Sequence, residues 1–206
     1  MRNATKTIAA WFGIAAGLAG MEHGIFEILQ GNIRPESLMI VSMGPPCVPE
    51  EAWNACEPAM TILPSMLLSG ILSTILGLLI FILAVGFLQR KRAGRIMLLL
   101  CIALLLTGGG LFPPVIGIIG SFAAMQINKP LDGKKQGSFL RFASRLWPWP
   151  LAIFVGWVAG QWLIGYFFND LLQSIMGVAA ILILVMLPVS FITAYAQDVQ
   201  NRMNRN

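Results

Sequence analysis

Charge is scarce in this chain. Lys, Arg, Asp and Glu together make up 11% of its 206 residues, against about 25% in a soluble domain. A chain with so little polar surface and 57% hydrophobic residues cannot coat a globule in water, and its mean hydropathy of +0.76 points the same way. A soluble enzyme, a nucleic-acid reader and a disordered linker are excluded as first readings. Histidine occurs once, which excludes bis-histidine haem ligation and a di-histidine metal motif. One Ser-His-Asp set at most is left, and no GxSxG supports it. The chain has no P-loop and no GxGxxG after a strand. It shows no obvious 20–50-residue repeat and no convincing inverted repeat of the transporter kind. No cofactor is expected.

Long apolar runs are what the chain does have. A helix needs about 20 apolar residues to cross a bilayer core, and stretches 7–29, 61–88, 147–168 and 174–196 meet that need. The stretch 96–127 is too long for one span and is interrupted by Thr107-Gly108-Gly109-Gly110-Leu111-Phe112-Pro113-Pro114. Three glycines and two prolines do not continue a straight helix, so a hairpin of two short helices, 96–110 and 113–127, is expected. The fold class is an all-α polytopic membrane bundle. It has either six membrane segments or four crossings plus a re-entrant hairpin at 96–127.

Basic residues set the orientation, because cytoplasmic loops carry the excess of Lys and Arg. With a cytoplasmic N-terminus and a hairpin that returns to its own side, thirteen of the fourteen basic residues lie inside and only Arg34 lies outside. With 96–127 as one crossing, the split is six inside and eight outside, with no bias. The hairpin is therefore expected, with both termini cytoplasmic, 31–60 as an extracytoplasmic loop and 128–146 as a basic cytoplasmic loop. The +5 net charge then faces anionic lipid headgroups, and no nucleic acid is needed to explain it. Within the basic loop, Phe139, Phe142 and Leu146 share one helical face that fits a helix lying on the inner leaflet. An ordinary basic loop leading to Trp147 and Trp149 fits equally. The N-terminus also fits a signal peptide, with Arg2 and Lys6 before an apolar run and Gly17 and Ala19 at a suitable cleavage position. The helical pattern continues past that point and favours an uncleaved first helix.

Of three cysteines, Cys101 falls in an apolar helix as a packing residue. Cys47 and Cys56 share the outer loop with Pro45, Pro46, Pro49 and Trp53. On an oxidising side they are expected to form a disulfide worth roughly 2–3 kcal/mol on the loop-entropy model. Small residues recur every four positions at Ser65, Ser69, Ser73 and Gly77, at Gly20 and Gly24, and at Gly156 and Gly160. This spacing lets helix backbones approach closely, within one protomer or between two.

The run Met21-Glu22-His23-Gly24-Ile25-Phe26-Glu27-Ile28-Leu29-Gln30 puts ionisable groups in a membrane helix, where they are costly and often functional. His23 and Glu27 share a face, Gln30 extends it, and Glu22 points about 100° away from His23. Glu57 and Met60 are expected to begin the second helix. The Gly108–Pro114 turn falls on the same side, so these features converge on one outer-facing vestibule. Its candidate residues are Glu22, His23, Glu27, Gln30 and Glu57, with Gly108, Gly109, Gly110, Pro113 and Pro114 lining it. Four readings fit: a cation site of His23, Glu27 and Glu57, whose metal is unspecified; a proton path through His23; a ligand pocket offered backbone groups by the glycine turn; or hydrogen bonds that merely hold helices together.

The strings AGLAGMEHGIFEILQGN, CEPAMTILPS and GGGLFPPVIGIIG together resemble an uncharacterised group of small multi-pass prokaryotic membrane proteins, over about residues 7–130. The resemblance implies a prokaryotic plasma membrane and one site shared by the three stretches. It implies no activity, cofactor or partner. The expected function is binding or transport of a cation, proton or small ligand at the vestibule. The alternative is a non-catalytic subunit or assembly factor of a larger membrane complex. A membrane enzyme using His23 or Glu27 ranks last, because no nucleophile or metal motif accompanies them. Membrane lipids and a homodimer or larger complex are the expected partners.

Overall fold

The computed structural model describes residues 3–43, 54–131 and 137–204. Helix α1 spans Asn3–Gln30 and is followed by a two-stranded antiparallel ribbon, β1 (Met39–Val41) and β2 (Pro58–Met60). Then come α2 (Met66–Ile82), which continues as a π-helical turn over Leu83–Phe87, α3 (Ala93–Leu106) and α4 (Phe112–Gln126). The chain ends with α5 (Ser138–Leu146), α6 (Trp149–Phe167) and α7 (Asn169–Met203). Among the described residues, four helical stretches are long and apolar enough to cross a membrane: Asn3–Gln30, Met66–Phe87, Ser138–Phe167 and Asn169–Met203. Helices α3 and α4 are shorter and apolar, and their 14 and 15 residues rise about 21 and 22 Å.

Helix α1 is the axis of the bundle and packs chiefly on α2 and α4. Its buried stripe of Ile8, Phe12 and Ala16 meets Met97, Cys101 and Leu104 of α3, with Ala123 and Phe154 from the flanking helices. Phe12 and Phe154 meet edge to face, with centroids 4.9 Å apart. Cys101 is buried and free, as expected of a packing residue. Gly24 and Gly70 allow α1 and α2 to touch backbone to backbone. A Cβ on Gly24 would lie 2.6 Å from the Gly70 carbonyl oxygen, and one on Gly70 would lie 2.6 Å from the Ile28 nitrogen.

Contacts between distant residues bring several chain segments to one end of the bundle. The Asp198 carboxylate of α7 accepts hydrogen bonds from the backbone N–H groups of Ala4 and Thr5 (3.0 and 2.9 Å) and from the Thr5 hydroxyl (2.6 Å). It thereby caps the N-terminus of α1, where orphan N–H groups and the helix dipole favour a negative charge. Asn128 donates to the Gln89 carbonyl, and Arg202 donates to the Leu131 carbonyl. The start of α1, the α2–α3 turn, the end of α4 and the end of α7 therefore meet. Arg2, Lys134, Lys135 and Arg205, which the orientation argument places at this end, lie outside the described residues.

Several boundaries differ from expectation. Helix α2 does not begin near residue 57: Glu57, Pro58 and Met60 belong to the loop and β2, and the helix starts at Met66 behind the N-cap Ser65. Pro58 and Pro64 lack the N–H an earlier helix needs, whereas Ser65 accepts from the Leu68 N–H. Helix α7 runs 35 residues through Pro188 and so extends well past 174–196. Helix α5 forms over Ser138–Leu146, packs on α7, and leaves Phe139 and Phe142 exposed. Cys47, Pro45, Pro46, Pro49 and Trp53 lie outside the described residues, and so therefore does one half of the expected bridge to Cys56.

Candidate functional site

The α3–α4 turn is the feature that organises the site. Thr107 bridges to Thr61 beside β2, and the Gly108 N–H donates to the Met60 carbonyl at 2.9 Å. The serine stripe of α2 holds the same turn. Ser69 and Ser73 each donate to the Thr107 carbonyl at 2.6 Å, which gives those serines a structural partner instead of a pore to line. Gly108 and Gly110 have φ of +98° and +78°, a conformation glycine adopts freely and other residues do not. Gly110 lies against His23, where a Cβ would stand 2.5 Å from Nε2. Gly108 lies against Glu27, where a Cβ would overlap both carboxylate oxygens and the Ser69 hydroxyl. The turn is thus a lid of bare backbone on the ionisable face of α1.

Beneath it, His23 is 2% exposed and Glu27 fully buried. His23 Nε2 is 3.3 Å from a Glu57 carboxylate oxygen, and the Glu57 side chain is 36% exposed. His23 Nδ1 has no hydrogen-bond partner among the described residues, although buried polar atoms are nearly always paired. Glu27 accepts from the Ser42 hydroxyl at 2.9 Å, and Glu22 accepts from Asn54 at 3.3 Å.

A cavity of about 340 Å³ opens beside this pair. Glu22, His23, Glu57 and Gln161 form its polar end, and Phe112, Ile116, Trp162, Met176 and Ile183 contribute apolar wall. Of the expected vestibule residues, Glu22, His23, Glu57 and Pro113 line it. The others serve it from behind or stand apart. Gln30 is not among the residues lining this cavity: its amide donates to the Val41 and Ser42 carbonyls at 3.0 and 2.8 Å and ties β1 to α1. Glu27 and Gly108 press on each other outside the lining, with Glu27 bonded to Ser42. Gly109 packs on Leu104, and Pro114 is buried in the first turn of α4. Among the described residues, no three His, Cys, Asp or Glu side chains cluster closely enough to hold a metal ion. His23 meets Glu57, whereas Glu27 bonds to Ser42, so the three expected cation ligands are not drawn into one cluster among the described residues.

No family model, curated protein or solved structure matches this chain. The site must be read from its own chemistry.

Sequence reasoning missed Asn54, Gln161, Trp162 and Met176, which complete the pocket or its rim, and Ser42 and Asp198, which anchor buried groups. Asp198 was legible as a lone acid after a long apolar run, but its partners Ala4 and Thr5 lie at the other end of the chain.

Proposed function

We propose that this chain is an integral membrane protein that binds a small ligand in the pocket between the α3–α4 turn, α1 and α6. The observation that carries this reading is the buried His23, which lines a cavity of ligand size, is paired with Glu57 through Nε2, and has no partner for Nδ1 among the described residues. Ligand pockets are mostly apolar, with a few convergent polar groups, and this one has that composition. Its polar end offers two carboxylates and an imidazole, which suit a head that donates hydrogen bonds or carries positive charge.

The excess of Lys and Arg supports an orientation with the joined ends of α1 and α7 in the cytoplasm, the α3–α4 hairpin returning to that side, and the pocket opening outward. A Cys47–Cys56 bridge would tether the loop carrying Glu57 on that outer side. A second reading, a subunit of a larger assembly, is favoured by Gly156 and Gly160 on α6, where an added Cβ would meet nothing within 4 Å among the described residues. This GxxxG face is therefore free for another helix.

Native mass spectrometry after mild extraction tests the first reading. A single small-molecule adduct is expected on the wild-type chain and is expected to disappear in His23→Ala. An adduct that persists in His23→Ala refutes the pocket.

A further inference from the structure

A second cavity, of about 500 Å³, runs between α1 and α6. It is bounded on α1 by Trp11, Ile14 and Leu18 and on α6 by Val155 and Ala159, and one end reaches Glu22. Trp11, Leu18 and Ala159 are exposed, so this groove faces outward from the flank of the bundle, where a bilayer would surround it. Helices α1 and α6 touch only sparsely, and the groove is the gap between them.

The groove adjoins the pocket. Ala15, Ala19, Glu22, Val158, Gln161 and Trp162 line both, so Glu22 stands where the flank-facing apolar groove meets the polar chamber. From Trp11 to Glu22 the groove follows α1 for eleven residues, about 16 Å, the length of an alkyl chain rather than of a compact molecule. Among the described residues, neither cavity has a Lys or Arg in its lining, whereas Glu22 lines both and Glu57 lines the pocket. The combined shape is a hydrocarbon slot ending in an acidic chamber with one imidazole.

We propose that the ligand is a single-chain amphiphile with an amine head, which reaches the pocket sideways from the bilayer. Its chain lies between α1 and α6, and its head lies among Glu22, His23 and Glu57. This inference rests on the pocket reading above and adds the ligand class and the route. Apolar chain burial along the slot is favourable relative to water. Because lipid is already apolar, selection among membrane amphiphiles falls to the head, through charge complementarity at the two carboxylates.

The test is titration of the purified full-length protein with dodecylamine, dodecanoate and butylamine, reading one-to-one adducts by native mass spectrometry. The variants are Glu22→Gln and Ala159→Phe. Ala159 is exposed and lines only the groove, so a phenylalanine there fills the slot without entering the core. Dodecylamine is expected to bind at least tenfold more tightly than dodecanoate or butylamine, and both substitutions are expected to weaken it about tenfold or more. Equal binding of butylamine, with Ala159→Phe silent, overturns the lateral route and leaves the pocket standing. Equal binding of dodecanoate overturns the amine head. Binding of neither amine overturns the inference, and the pocket then stands or falls on its co-purified adduct. A second copy of the chain covering the groove in place of any small molecule also overturns it.

Discussion

Replacing Gly108 by alanine is expected to lower stability by about 2–6 kcal/mol and to abolish ligand binding. Two costs add. A non-glycine residue at φ +98° carries about 1–3 kcal/mol of backbone strain. The new Cβ would also overlap the Glu27 carboxylate and the Ser69 hydroxyl, and overpacking of this kind costs about 1–3 kcal/mol more. Neither neighbour has room to yield. Glu27 is fully buried and bonded to Ser42, and Ser69 is bonded to the Thr107 carbonyl. The turn must then lift off α1 and carry Gly110 away from His23. Thermal unfolding in detergent, followed with the ligand adduct, checks both effects. Gly86→Ala is the control, because an added Cβ there would meet nothing within 4 Å among the described residues. A wild-type melting temperature in Gly108→Ala would mean that the turn does not rest on Glu27.

The second large effect is expected at the α1–α2 contact. Gly70→Val should destabilise the bundle by about 3 kcal/mol or more, through overpacking and lost close approach. A Cβ at Gly70 would overlap the Gly24 carbonyl and stand 2.6 Å from the Ile28 nitrogen. These are backbone atoms of the central helix, so relief requires moving α1 itself, and with it His23 and Glu27. Gly160→Ala should act in the opposite direction. Among the described residues nothing lies within 4 Å of its Cβ position, so it should gain about 0.5–1 kcal/mol from helix propensity if the chain is a monomer. Melting temperatures of the two variants, measured side by side, give the comparison. Equal small effects would mean that α1 and α2 do not pack through their glycines.

These contrasts show what was legible in the sequence. Composition dictates a membrane bundle, because 11% charge leaves no other solvent for the chain. The run Thr107–Pro114 announces a break, because glycine and proline act locally. The spacing of His23 and Glu27 shows a shared face, because helical periodicity is also local. Which of the two meets Glu57 is not a local property. The ribbon β1–β2 and the turn at Gly108 come between them, and they pair through Met60 and Thr61, whose strand character the apolar run hides. Gln30 looked like part of the polar face, yet it is used by the ribbon it faces. The small-residue stripes looked alike in sequence. Only packing distinguishes Gly70, pressed against α1, from Gly160, whose Cβ position has no neighbour among the described residues.

The most direct measurement is imidazole nitrogen NMR of the full-length protein in lipid nanodiscs, with label on histidine alone. The chain has one histidine, so the spectrum reports His23 without assignment. A buried His23 held by Glu57 beneath the glycine turn predicts a ring that exchanges slowly with solvent. Its resonances should shift in Glu57→Gln and in Gly110→Ala and stay unchanged in Gly160→Ala. An imidazole that exchanges as freely as one in water, with the same spectrum in all three variants, would contradict the site.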